Sequence, residues 1–588
     1  MRLPTLVLAL AAMPALVAQT ASDLLRAGAP FDLDGDGVVE VLRCDPGAEV
    51  GDPAAPLVVV LCESRVLAVP GGERWSSPLG KALVRFAGDI AAAGFRAVLV
   101  DCAVHAGPPH QDGRTVLALR ALLRDVAAAG PLAGAVLVGH FPDALLVRTC
   151  NWRRQDDLDL PGKDGKPVHV DGKTTTNVRC VPEIVAHRCD VVLADLDGAW
   201  EQVYVPGPAA LPSVTVVFGD KVPDGGGPAL AMKTGELQVV DVFHVRDGAT
   251  VVDAEAFAVR LDANWRDTEC SAWDRTRGNP IASPDIAVSR IDARGVALLP
   301  DAAALDVAGR PIAVDAGGRK GIAWRHDLAF ERQLLCEYFD RNHAFRARGK
   351  RTEQHRPAAF GHDLGSGLHS LRPADAGWAT FAETGYDVHE RADLVQLTQW
   401  LQRPAVLRVY RVHSDPWGGV CAKTDPQALA AVLGVPWSWH RDGERMAPSW
   451  NAHRGGKADF AYYRTLWQRQ VVGDNPYLLI HTGCEALSPP GSVEHPYDDP
   501  AYGRFAHAES MLFFTPCLAM VGRAKVFYDE PRGFAEALGA GKTFGEAWQR
   551  YFEVESAATD WREVGDDIGR KRAYFWSVVG DWTLRLPR

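Results

Sequence analysis

Three short apolar runs, Leu57 to Cys62, Ala97 to Cys102 and Ala135 to Gly139, alternate with two stretches whose apolar positions recur at helical spacing, Ala82 to Ala93 and Val116 to Ala129. Runs this short suit strands buried on both faces, and the stretches between them are long enough for crossover helices. Strand–helix–strand alternation predicts a parallel sheet with helices packed on its faces. The same kind of signal recurs downstream. Strands are expected at 190–194, 213–218, 237–245, 284–290, 405–412, 477–481 and 518–521, and in the closing run 576–586. Helices are expected at 328–344, 392–402, 509–514 and 543–552, and a polar loop at 150–180. A chain of 588 residues needs more than one small core. The length suggests about three to four domains or one large elaborated unit, and the alternation makes it α/β.

The first twenty residues read as a secretory signal peptide. Arg2 precedes an apolar core from Leu6 to Val17, and small residues follow at Ala18 to Ala21. That core is too short to span a bilayer, and no later stretch has eighteen unbroken apolar residues. A secreted or periplasmic protein without membrane insertion is expected. A net charge of −11 supplies no basic stripe for phosphates, which disfavours nucleic acid as a partner. Eleven cysteines leave at least one thiol unpaired in an oxidising compartment. No C-x-x-C pair is present, which disfavours a thiolate zinc site. Cys62 and Cys102 read as core residues at strand ends, and neither disulfide connectivity nor oligomeric state follows from the sequence.

Asp32, Asp34 and Asp36 alternate with glycine in Phe31-Asp-Leu-Asp-Gly-Asp-Gly, the spacing of oxygen ligands in a calcium loop, and Glu40 fits its ninth position. Arg43 stands where a bidentate glutamate would close the set. A structural Ca²⁺ and an exposed acidic turn are the two readings.

The run Tyr477-Leu-Leu-Ile-His481 ends on Thr482, Gly483 and Cys484. A strand that delivers a cysteine to its tip behind a glycine can present a nucleophile at a sheet edge. A cysteine thiolate near neutral pH needs a base or an imidazolium beside it, and His453, in Asn451-Ala-His-Arg-Gly-Gly456, could supply one. A buried structural cysteine is the alternative. His481 points to the opposite strand face from Cys484, which makes it a poorer base. His140, after the third strand, ranks below His453. Gly541-Lys-Thr lacks the earlier glycine of a phosphate loop, and His389-Glu390 lacks the second histidine of a zinc-protease helix. No Gly-x-Ser-x-Gly elbow is present.

Several separated segments then fall in one order. Ala135-Val-Leu-Val-Gly-His-Phe-Pro-Asp143, Ala194-Asp-Leu-Asp-Gly198, Ser283-Pro-Asp-Ile-Ala-Val-Ser-Arg-Ile291, Phe330 to Tyr338, Gly541 to Trp548 and Val578 to Leu586 together resemble the gingipain-type cysteine peptidases, a secreted family with a caspase-like fold. The resemblance implies a cysteine endopeptidase acting on polypeptides, with Cys484 as nucleophile, His453 as its histidine and Asp285 as the orienting carboxylate. It also implies an oxyanion hole from the backbone of Cys484 and of the Arg454–Gly455 region. With that fold comes an expected division into two consecutive Rossmann-like α/β subdomains, at 55–190 and 191–588, behind an N-terminal extension at 21–54. Arg454 replaces the glycine that follows the family's histidine, Ser289 replaces another glycine, and Trp582 replaces a proline. A secreted binding or structural protein that kept the fold and lost catalysis is the alternative reading.

Overall fold

A computed structural model describes residues 41–68, 72–104, 113–154, 180–198, 200–206, 214–217, 249–252, 263–266, 283–300, 313–316, 319–322, 324–347, 358–361, 386–387, 392–416, 418–422, 424–434, 456–488, 507–524, 530–557 and 573–587. Its centre is one mixed sheet of eleven strands. They are β1 (Val41–Val50), β2 (Leu57–Glu63), β3 (Arg96–Val104), β4 (Leu132–Val138), β5 (Ala287–Ile291), β6 (Ala358–Gly361), β7 (Tyr386–Asp387), β8 (Leu407–Arg411), β9 (Tyr477–His481), β10 (Cys517–Arg523) and β11 (Trp576–Gly580). In space they run β1-β3-β2-β4-β5-β11-β10-β9-β8-β6-β7. Strands β2 to β5 are mutually parallel, as are β6 to β10, while β1 and β11 run against β3 and β10. This is the expected α/β architecture. The segment 190–194, read as a strand, is instead a helical turn, Val191–Ala194. A short apolar run does not distinguish the two by itself.

The apolar runs become strands because both of their faces are covered. Every residue of β2 and of β9 is buried. The covering helices are α1 (Pro78–Ala92), α2 (Gly113–Ala129), α3 (Leu328–Ala347), α4 (Leu394–Gln402), α5 (Phe460–Gln468), α6 (His507–Phe514) and α7 (Phe544–Ala557). Helix α1 starts where Ser77 accepts from Gly80 N at 2.9 Å, with Pro78 at the first helical position. It buries Leu79, Leu83, Phe86 and Ile90 along one face, and Phe86 meets Phe339 of α3 at 4.9 Å between ring centroids. Helix α4 opens on a capping box, with Asp393 accepting from Val395 and Gln396 while the Gln396 side chain accepts from Asp393 N.

Two elements join the halves of the sheet. Helix α3 is tied at its start to the end of β2, where Arg65 bridges Glu63 and Glu331. Further along, Tyr338 donates to Leu518 O at 2.6 Å, and Asn342 donates to Asp581 at 2.8 Å. Trp582, beyond β11, donates to Ala135 O in β4 at 3.0 Å and packs on Phe95, just before β3.

One bridge of parallel type, Arg290 to Val579, links β5 to β11, too little to set the direction of one half against the other. Contacts at the two rims do so. Asp143, beyond β4, holds Arg188 at 2.7 Å, and Arg188 reaches Glu509 of α6 at 3.6 Å. Helix α6 begins at His507, which touches the last residue of β9, His481, at 3.1 Å. At the other rim, Trp582 meets the starts of β3 and β4. The C-terminal ends of β4 and β9 therefore face the same side, the rim where an open α/β sheet builds its sites.

Candidate active site

Strand β9 lies between β8 and β10 in parallel register, with Leu407 opposite Leu478 and Tyr410 opposite His481. The ladder continues one residue past the strand, where Thr482 N donates to Tyr410 O at 3.0 Å. Both chains then leave the sheet at the same rim. From β9 comes Gly483 and a turn that leaves Cys484 partly exposed, and from β8 come Val412 and an exposed His413. Ser414, next in line, donates through Oγ to the Cys484 carbonyl at 2.5 Å. The hydroxyl stitches the two strand ends together and brings the segments carrying His413 and Cys484 alongside each other.

Gly483 makes the close approach feasible. A Cβ there would stand 2.5 Å from Val412 O and 2.6 Å from the His481 ring, and would overlap Ser414 Oγ. No such contact is tolerated between real side chains, so the β8–β9 crossing requires glycine. On the other side of Cys484, Glu485 has φ of 52°, in the left-handed region that a residue with a Cβ seldom occupies. Strain of this kind persists where the surroundings over-determine the turn. Here Leu487 N donates to Arg523 O at 2.8 Å, and the Arg523 guanidinium donates to Thr482 O.

Beneath this turn lies a buried histidine pair. Gly483 N donates to His481 Nδ1 at 3.0 Å, which leaves the proton on Nε2, facing His507 Nε2 at 3.1 Å. Tyr410 meets the His481 ring edge-on at 4.9 Å between centroids. Burial, followed by the charges of His507 and Arg523, holds the His481 pKa well below that of an ordinary imidazole. His481 is therefore neutral and committed to the backbone of Gly483.

Asp285, expected beside the dyad, stands before β5 with β11 and β10 between that strand and β9. It accepts from Leu196 N at 2.8 Å, and its carbonyl accepts from Gln549 at 3.0 Å. The structure brings it to Asp195 and Asp197, at the start of β5 and the rim opposite Cys484. Ligand oxygens of these three carboxylates lie within 4.8 Å of one another, the one such cluster among the described residues. Burial, and next the contact with Asp197, push Asp195 up to about 8, so this carboxyl holds a proton near neutrality. Its buried oxygens accept from Trp200 Nε1 at 2.9 Å and from Gly198 N at 3.2 Å.

His453, with Arg454 and Gly455, lies outside the described residues, as do Asp32, Asp34, Asp36 and Glu40. The described chain resumes at Gly456, which pairs with Cys421 in a small sheet that also holds Ser414. His140 is at the same rim as Cys484 but beyond β4, held by Asp292 at 2.7 Å. His413 is a candidate that the sequence alone does not single out. It ends the apolar run of β8 much as Cys484 follows that of β9, a signal that becomes visible only once the two strands are known to be neighbours.

No family model matches the chain, and no curated protein matches it in sequence. Among solved structures it is similar to one described as a protease, at a TM-score of 0.38 and 10% identity, covering 90% of this chain and 78% of that one. It is likewise similar to the Arg-specific cysteine proteinase gingipain R, at a TM-score of 0.38 and 9% identity, over 91% of this chain and 78% of the other. A third is the complex of the pro- and mature domains of Porphyromonas gingivalis RgpB, at a TM-score of 0.37 and 8% identity over 90% and 79%.

Proposed function

We propose that the protein is an exported cysteine peptidase in which Cys484 is the nucleophile and His413 its base. The observation that carries the reading is the Ser414–Cys484 tether, which joins the ends of two adjacent parallel strands, one bearing a histidine and the other a cysteine. In this reading the His413 imidazole takes the Cys484 proton, and the thiolate adds to the carbonyl carbon of a peptide bond. The imidazolium then protonates the departing amine. Water, deprotonated by the same imidazole, hydrolyses the thioester and restores both groups. Asp285 has no part in these steps and serves the opposite rim. The substrate is a polypeptide.

The test is alkylation by an irreversible thiol-directed probe, followed by peptide mapping, together with hydrolysis of an unfolded protein. Stoichiometric labelling confined to Cys484, lost in His413→Ala and retained in His453→Ala, supports this dyad. The reverse pattern returns the base to His453. Labelling at the rate of a simple thiol in all three proteins, without hydrolysis, removes the peptidase reading.

A further inference from the structure

Two cysteines far from the candidate active site face each other in the sheet. Cys44 in β1 and Cys102 in β3 are direct partners in the antiparallel register, and their sulfurs are 3.6 Å apart. We propose that Cys44 and Cys102 form a disulfide that fastens edge strand β1 to β3.

The backbone already has the required spacing. Opposed residues of an antiparallel pair have Cα atoms about 4.5 or 5.5 Å apart, both within the range that a disulfide spans. Small rotations about the two Cα–Cβ bonds would draw the sulfurs from 3.6 Å to the bonded distance of about 2.05 Å. Cys62 is the nearby competitor, and the pleat excludes it. In the β2–β3 register Cys62 lies opposite Asp101, whereas Cys102 lies opposite Glu63. Neighbouring positions on a strand point to opposite faces, so Cys62 and Cys102 are on different sides of the sheet. The Cys62 thiol instead donates to Val60 O at 3.7 Å.

The bond would form by exchange with an external disulfide, either oxidised glutathione or an oxidised dithiol protein. One cysteine thiolate attacks that disulfide and releases one thiol. The second cysteine then attacks the mixed disulfide at the protein sulfur and releases the other thiol. Two protein thiols are oxidised, and the oxidant is reduced to two thiols that keep the two protons. In the folded chain Cys44 is 3% exposed and Cys102 is fully buried, so exchange belongs to folding, before β1 docks. The contact with Cys44, then burial, pushes the Cys102 thiol up, which further slows exchange once the strand is in place.

The full chain, refolded in a buffer of oxidised and reduced glutathione, is alkylated and digested after arginine and glutamate without reduction. These cuts separate Cys44, in 44–49, from Cys62, in 50–63, and leave Cys102 in 97–114. The expected product is 44–49 joined to 97–114, two hydrogens lighter than the separate peptides. Reductant should cleave it readily only after denaturation. Oxidised protein should melt above reduced protein, and the gap should keep its size in Cys62→Ser and shrink in Cys44→Ser. Recovery of 44–49 solely as the alkylated free thiol, or joined to another peptide, would overturn the proposal. A melting gap undiminished in Cys44→Ser would do the same.

Discussion

Ser414 Oγ donates to the backbone carbonyl of Cys484 at 2.5 Å, across 70 positions of sequence. Removing the hydroxyl in Ser414→Ala leaves that carbonyl without this donor, a loss of about 1 kcal/mol. If the tether sets the spacing between His413 and Cys484, alkylation of Cys484 should slow about fivefold, the rate equivalent of that energy. The rate constant is read from probe incorporation over time. An unchanged rate would mean that the strands alone fix the spacing.

Gly483→Ala should be far more damaging. Its Cβ would meet Val412 O at 2.5 Å and the His481 ring at 2.6 Å, neither of which is the free end of a flexible chain. Overpacking of this kind costs about 1–3 kcal/mol, and the β8–β9 crossing must widen to relieve it. Chemical denaturation should show the loss, and labelling of Cys484 should fall with it. Gly88→Ala is the control, because Gly88 is on the exposed face of α1 with nothing within 4 Å of a new Cβ. That substitution should be neutral or stabilising by up to about 1 kcal/mol.

Strand and helix signals were largely legible because burial on both faces leaves a continuous apolar run. Leu57 to Cys62 became β2, and the helix expected from Ala82 begins four residues earlier, where Ser77 and Pro78 supply the start signal. Cys484 was legible as a candidate for the same reason, as an apolar strand ending on glycine and cysteine. His413 was not, because its relevance depends on β8 lying beside β9, a pairing with no local signature. The resemblance assigns Asp285 to orient the dyad's imidazole, whereas strand order separates β5 from β9 by β11 and β10. Cys102 reads as a core residue in the sequence, and nothing in its own surroundings announces that Cys44 is opposite.

The neutral, buried His481 gives stability a pH dependence. Its folded pKa lies below that of the unfolded chain, about 6.5. The unfolded state therefore binds more protons as pH falls through that value. Stability from this group is fully present above about pH 6.5 and is lost on acidification, at up to about 1.4 kcal/mol per pH unit. Denaturant midpoints between pH 7.5 and 5 should show this slope, and His481→Gln should flatten it. An equal slope in the variant would assign the acid sensitivity elsewhere.

Arg188 connects Asp143 with Glu509, so Arg188→Met takes the nearer arginine from Asp143 and this arginine contact from Glu509 in a largely buried setting. Removing one partner from such a network costs about 3–5 kcal/mol. Urea unfolding should show a loss of that order. A loss below about 1 kcal/mol would mean that Arg290, 3.4 Å from Asp143, compensates.

The width of the sheet carries a hazard that its margins offset. Eleven strands in one ladder could go on recruiting further strands from other chains, since an open edge is a template for association. Among the described residues one margin, β7, is two residues long. The other, β1, changes register twice and carries Pro46, which has no amide to offer a newcomer. Short, kinked borders of this kind allow a broad sheet to stay finite, and a strand that detached from the β1 side would expose the straighter and more apolar β3. Retention of β1 is therefore a safeguard against aggregation as well as a contribution to stability.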